Sequence, residues 1–158
     1  ITIRTIESDE AMLLTEFLYE AIYQPAGSQK VPRTVLQQPM IWAYVKDFGK
    51  LPDDICLVAV VDGLIVGAAW SRLGCSYGKI DDTTPEFAIS VYPEYRGKGI
   101  GTRLLSSLLD AIHKIGYGTV SLSVDKSNYA VGMYLKAGFE ILEEREHDYI
   151  MVKRWNNE

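Results

Sequence analysis

A mixed α/β fold, with a central mixed β-sheet flanked by helices, is what this sequence predicts, and three observations predict it. Two apolar, β-branched runs flank Asp62-Gly63, a dipeptide that supplies the positive φ angles of a tight turn between antiparallel strands. Strand, glycine loop, helix and strand then follow one another from Glu86 to Val124 in the order of a βαβ unit, whose two strands run parallel. The chain closes on two further alternating stretches, Phe139 to Leu142 and Tyr149 to Val152. Parallel and antiparallel pairings in one chain make a mixed sheet. With 158 residues, 47% of them hydrophobic, the sequence has the size and apolar content of one domain around one sizeable core, so 1–158 is expected to be a single domain.

The elements follow in order. Ile1 and Ile3 alternate with Thr2 and Arg4 as a short half-buried strand, and Ser8 is placed to cap a helix turning Leu13, Leu14, Phe17, Leu18 and Ala21 inward. Tyr23 to Gln38 holds Pro25, Gly27 and Pro32 and reads as a loop. Pro39 fits the first turn of a helix that buries Ile41, Tyr44, Val45 and Phe48 and stops at Gly49. After the hairpin, a polar loop from about Gly74 to Pro85 leads into a strand from Glu86 to Tyr92, where Phe87, Ile89 and Val91 alternate with Ala88 and Ser90. From Thr102, the positions Leu104, Leu105, Leu108, Leu109, Ile112 and Ile115 share one helical face as far as Gly116. Val120, Leu122 and Val124 alternate with Thr119, Ser121 and Ser123 as the second strand of the βαβ unit, and Ala130, Val131, Tyr134 and Leu135 mark a shorter helix ending at Gly138.

Composition narrows the function classes. Lys and Arg total 16 against 21 Asp and Glu, a net charge of -5, so no broad basic surface is available for nucleic-acid phosphates, and nucleic acid is not an expected partner. The apolar runs Ile55 to Val61 and Leu64 to Trp70 fall well short of the ~20 residues that cross a bilayer, so no membrane partner is expected. Two cysteines, Cys56 and Cys75, make neither a disulfide framework nor a zinc site, and a cytoplasmic location without a metal is the expectation. Neither His113 nor His147 is spaced to activate a cysteine nucleophile, and the acidic pairs Asp53-Asp54 and Asp81-Asp82 read as exposed turns.

Chemistry concentrates in Arg96-Gly97-Lys98-Gly99-Ile100-Gly101, between a strand and a helix start. Backbone N–H groups at a helix N-terminus point at a bound anion, the helix dipole adds positive charge, and glycines allow close approach. Arg96 and Lys98 supply counter-charge, and Pro93, which has no N–H, is expected to end strand pairing and open the sheet beside the loop. Two other phosphate motifs fail on these letters: a nucleoside-triphosphate loop needs Ser or Thr after Gly-Lys where Gly99 stands, and in the dinucleotide fingerprint the third glycine comes one residue later. A glycine-rich turn that merely joins strand to helix is the bland reading.

Val91 to Gly101 resembles the acetyl-CoA-binding motif of the GNAT acetyltransferase superfamily: Arg or Gln, two residues, Gly, one residue, Gly or Ala, filled here by Arg96, Gly99 and Gly101. Ala130, Tyr134 and Gly138-Phe139 are similar to the helix and strand start near that family's C-terminus, so the resemblance covers nearly the whole chain and is weakest over Tyr23 to Gln38. It implies an N-acetyltransferase that binds acetyl-CoA and passes the acetyl group to a primary amine, small molecule or protein amino group, by direct attack through a tetrahedral intermediate. It further implies that Ile89, Ser90 and Val91 give backbone hydrogen bonds to the pantetheine arm and thioester, and that Gly97, Lys98, Gly99, Ile100, Gly101 and Thr102 wrap the pyrophosphate. Homodimers are common in the family, although nothing in the sequence defines an interface. A non-catalytic acyl-CoA sensor is the alternative.

The resemblance places Tyr134 where the family often has the general acid that protonates the departing thiolate. A thiol near ~8.5 and a phenol near ~10 make that transfer close to balanced, while a core-facing tyrosine is the structural reading. An attacking amine of pKa ~10.4 is roughly 3.4 pH units from its free form at pH 7, about 4.6 kcal/mol, which a nearby base relieves. Glu86, at the start of the strand, is the candidate base, similar to a strand-start glutamate of some family members; a solvated glutamate at a loop end is the competing reading. The asparagine that commonly lies seven residues before the tyrosine is Ser127 here. Asn128 lies one residue later, and either can cap the helix or contact the CoA arm.

Overall fold

The structure, a computed structural model, describes residues 1–25 and 27–155. Seven strands form one sheet: β1 (Thr2–Thr5), β2 (Ile55–Val61), β3 (Leu64–Arg72), β4 (Glu86–Val91), β5 (Thr119–Asp125), β6 (Glu140–Glu144) and β7 (Asp148–Arg154). Their order across the sheet is β1-β2-β3-β4-β5-β7-β6, antiparallel at every step except β4 to β5. The parallel step is the crossover that the strand, loop, helix, strand order predicts. Asp62 and Gly63 take φ of 51° and 80°, and they close the β2–β3 hairpin.

Helices cover both faces. α3 (Ile100–Lys114) buries Leu104, Leu105, Leu108, Leu109 and Ile112 against Val66, Phe87, Val91, Leu122 and Met151, and α4 (Ala130–Lys136) joins them through Tyr134. At roughly 1.5–3 kcal/mol for each fully buried leucine or isoleucine, this stripe alone fixes α3 on the sheet. The opposite face carries α1 (Leu14–Ala21) and the short α2 (Pro39–Trp42), with Leu14, Phe17, Leu18, Tyr44 and Val45 packed on Val58, Ala68 and Trp70.

Several elements depart from expectation. Ser8 is not the cap: Ser8–Leu13 is a 3-10 turn that opens after Glu7, whose N–H donates to Glu10 at 2.9 Å, because Glu10 is held by both guanidinium nitrogens of Arg4 at 2.8 Å. The helix expected to run to Gly49 is regular only to Trp42; beyond it, carbonyls of Ala43, Tyr44 and Lys46 accept from Arg72 and Trp70 of β3 instead of continuing a ladder. Residues 33–37, expected as loop, form a 3-10 turn that buries Leu36. Asp54 is no exposed turn residue: its carboxylate pairs with Arg72 at 2.8 Å, and the two side chains are 1% and 4% exposed.

Candidate active site

β4 and β5 meet at one pair of residues, Glu86 and Ser121, and then part. β4 stays paired with β3 as far as Val91 opposite Gly67. Tyr92 N–H donates to Val66 C=O at 2.9 Å, and from that bond the antiparallel alternation assigns every backbone group of β4. Ala88 and Ser90 exchange hydrogen bonds with β3, whereas Ile89 and Val91 turn their N–H groups toward the gap. The opening therefore begins at Glu86 and not at Pro93, which starts a 3-10 turn over Pro93–Tyr95. Unpaired strand groups beside a cleft are donors waiting for a ligand.

The cleft is continuous from this gap to the glycine loop, about 1730 Å³ in all, and its wall includes Ile89, Ser90, Val91, Arg96, Gly97, Gly99, Ile100, Gly101 and Thr102. Gly97 and Gly99 take φ of 76° and 82°, left-handed conformations that a side chain resists, and a Cβ at either would touch nothing, so backbone shape is what requires them. Gly99 starts α3, fifteen residues long, with the free N–H groups of its first turn at the cleft. Arg96 donates through Nε to Val91 C=O at 2.8 Å and lies 3.6 Å from Glu20. Lys98 stands apart from the cleft wall, with its ammonium over the Tyr95 ring at 5.6 Å. Ser90 is held differently from its neighbours: its hydroxyl donates to Phe17 C=O at 2.6 Å and its backbone belongs to the β3 ladder.

Tyr134 and Glu86 reach the cleft from opposite faces of β4. Tyr134 packs edge-on against Phe87 and Phe139, with ring centroids 5.9 and 5.8 Å away, and burial pushes its phenol above the ordinary range. The phenol thus stays protonated at working pH, and transfer to a thiolate is balanced only for a sulfur equally withdrawn from water. Glu86 is not a solvated loop-end glutamate; it is 2% exposed. Its Oε2 accepts from the Tyr44 hydroxyl and, at 3.0 Å, from Gly78 N–H, while Oε1 has no partner among the described residues. Burial pushes this carboxyl up to about 7, against the lowering effect of the Tyr44 and Gly78 hydrogen bonds. A carboxyl poised there exchanges protons readily near neutrality.

Asn128 also lines the cleft, and its Oδ1 accepts from Ala130 N–H at 2.9 Å, which ties off the start of α4. Ser127 N–H donates to Asp125, and its carbonyl accepts from Tyr23 at 3.1 Å. Among the described residues no group of three or more His, Cys, Asp or Glu is arranged to hold a metal ion, and no helix is long and apolar enough to cross a membrane. Two residues that the sequence does not mark complete the site, Tyr44 and Gly78. Tyr44 reads as an apolar-face helix residue and Gly78 as one letter of a polar loop; no local pattern ties either to Glu86.

Known proteins resemble this chain in sequence and in fold. The family model described as acetyltransferase (GNAT) family covers residues 18–139. The chain is similar to the L-methionine sulfoximine/L-methionine sulfone acetyltransferase of Salmonella typhimurium, 23% identical over 98% of this chain and 89% of that protein. It is also similar to the spermidine N(1)-acetyltransferase of Escherichia coli, 34% identical but over 46% of this chain and 40% of that protein. Among solved structures, the PaiA N-acetyltransferase of Thermoplasma acidophilum in complex with coenzyme A superposes with a TM-score of 0.69 at 22% identity, covering 98% of each chain. The ribosomal-protein-alanine N-acetyltransferase of Brucella melitensis gives 0.71 at 20% identity, covering 98% of this chain and 100% of that one.

Proposed function

This chain belongs to the GNAT family of acetyltransferases, and from that premise we propose that 1–158 is a single N-acetyltransferase domain that moves the acetyl group of acetyl-CoA to a primary amine by direct attack. The observation that carries the reading is the parted β4–β5 gap, flanked by Glu86 from one face and Tyr134 from the other and continuous with the glycine loop. The residues present fit acetyl-CoA. Ile89 and Val91 offer unpaired N–H groups to the pantetheine arm and thioester carbonyl, and the loop from Gly97 with the first turn of α3 offers N–H groups and open space to the pyrophosphate. Arg96 adds charge at the loop, whereas Lys98 and Ser90 take lesser parts and Asn128 borders the path with its Oδ1 already accepting from Ala130 N–H just before α4.

In this reading Glu86 takes a proton from the acceptor's ammonium group, and the freed lone pair attacks the thioester carbon. The strand N–H groups hold the oxygen on which negative charge develops, a contribution of the kind that is often the largest in acyl transfer. As the oxyanion collapses back to a carbonyl the C–S bond breaks and its electron pair leaves on sulfur, which takes the Tyr134 hydroxyl proton; the nitrogen releases its second proton to solvent, Glu86 returns its own there, and the phenolate regains one from solvent. Glu86, Asp125 and Asp148 all line the cleft, and with Asp148 neutralised by Arg145 it is Glu86 and Asp125 that favour a cationic amine. Two free, buried cysteines suit a reducing, cytoplasmic compartment.

The test is thiol release from acetyl-CoA with methionine sulfone, spermidine and an alanine-initiated peptide as acceptors, run beside Tyr134→Phe and a calorimetric titration of CoA. The expected result is turnover on at least one amine, lowered about 10²-fold or more in the variant while CoA still binds. Binding without turnover on any amine favours the acyl-CoA sensor, and absence of CoA binding overturns the reading.

A further inference from the structure

The carboxylate of Glu86 is gripped on one oxygen, while the other is buried without a hydrogen-bond partner among the described residues. Both donors to Oε2 come from distant parts of the chain, and each is locked in turn. Tyr44 is 42 residues upstream, and its backbone is pinned by Trp70 Nε1, which donates to Tyr44 C=O at 3.1 Å, and by Arg72, which donates to Ala43 and Lys46 carbonyls at 3.2 and 2.7 Å. Gly78 lies against the β5 backbone so closely that a Cβ would stand 2.7 Å from Leu122 C, from Ser123 N and from Glu86 Oε2 itself. Ser121 Oγ–H donates to Gly78 C=O at 2.7 Å, which keeps the neighbouring N–H aimed at the carboxylate. With both donors fixed in place, one carboxylate oxygen is always held between them and the other is left without a protein partner among the described residues.

We propose that Tyr44 is a positioning residue for Glu86: its phenol and the Gly78 N–H together hold Oε2, leaving Oε1 as the oxygen that takes the acceptor's proton. The inference rests on Glu86 being the base in the preceding reading. A buried acceptor left without a partner is costly and uncommon in folded proteins, and a protonated amine is the partner this one lacks. The Tyr44 phenol, itself raised by burial and by Glu86, remains a donor throughout. The other groups acting around the pair are few. The Cys75 thiol is pushed up by burial and stays neutral, Arg145 from the β6–β7 turn favours the ionised carboxylate while paired with Asp148, and Arg72 on β3 is tied to Asp54.

Because the Tyr44 hydrogen bond stabilises the ionised form, its loss raises the pH at which Glu86 titrates. The experiment follows the Glu86 carboxyl carbon by 13C NMR in glutamate-labelled protein, assigned with Glu86→Gln, in the unmodified chain and in Tyr44→Phe, which keeps the ring and the backbone anchors. The expected result is a midpoint about one pH unit higher in Tyr44→Phe. In the unmodified protein the Tyr44 Cζ resonance should change through the same midpoint as Glu86, a reading that stands even where the variant fails to fold. A folded Tyr44→Phe with an unmoved midpoint, or a Tyr44 Cζ that stays flat while Glu86 titrates, overturns the proposal. Neither measurement uses acetyl-CoA, so failure of the functional reading shows separately, as absence of CoA binding.

Discussion

Glu86 binds its proton more tightly in the folded protein, near pH 7, than its ordinary value of 4.5. Between those values the folded state holds more protons than the unfolded chain, so stability falls as pH rises through the interval and is lower by about 3 kcal/mol above it. Glu86→Gln removes that cost. Thermal unfolding of the variant is expected to match the unmodified protein at pH 5 and to occur at a higher temperature at pH 8, while acetyl transfer drops about 10²-fold or more. A variant less stable at pH 8 would mean that the carboxylate is no burden to the fold. Glu86 was legible from sequence only as a candidate, because its letter sits at a loop end; what buries it is Tyr44 and Gly78, which contact it through the fold and not through sequence spacing. The glycines were readable because strand, loop and helix place them locally, whereas Tyr134 was singled out only through the resemblance of its helix to the family's C-terminal helix. The packing that raises the Tyr134 phenol was not readable, since Phe87 lies on another element.

At the scale of elements, the segment after α2 depends on β3 more than on its own ladder. Arg72 gives its guanidinium to Asp54 and to two carbonyls of residues 43–46, and it lies over the Phe48 ring at 5.2 Å, so one buried cation ties together the residues that carry Tyr44. Removing the anion leaves that cation buried without charge compensation. Asp54→Ala is therefore expected to lower unfolding free energy by about 3–5 kcal/mol in a urea titration, with a loss under 1 kcal/mol contradicting the account. From the sequence, Asp53-Asp54 reads as an exposed turn, and only half of the pair is: Asp53 lies at the surface, bonded to Tyr117 at 2.5 Å. Hairpin and crossover helix were readable because a two-residue turn and a 3.6-residue stripe are local signals. The 3-10 turns that precede α1 and α2 were not: Arg4 of β1 fixes the start of the first through Glu10, and the second is marked by the burial of Leu36.

For the whole molecule, function depends on where the sheet fails to pair. The sequence identifies β4 and β5 as parallel neighbours, yet the number of rungs between them is a property of the twisted sheet, and it is one. Pro93 looked like the cause of the opening, but β5 has already left at Glu86, seven residues earlier. That early parting leaves the Ile89 and Val91 N–H groups without strand partners, and the cleft they line runs to the start of α3. Amide hydrogen exchange, read residue by residue with and without saturating acetyl-CoA, tests this most directly. Acetyl-CoA is expected to slow exchange at Ile89 and Val91 and to leave Ser90, already bonded to β3, unchanged. Binding that leaves Ile89 and Val91 exchanging as freely as before, or that protects Ser90 in their place, would contradict it.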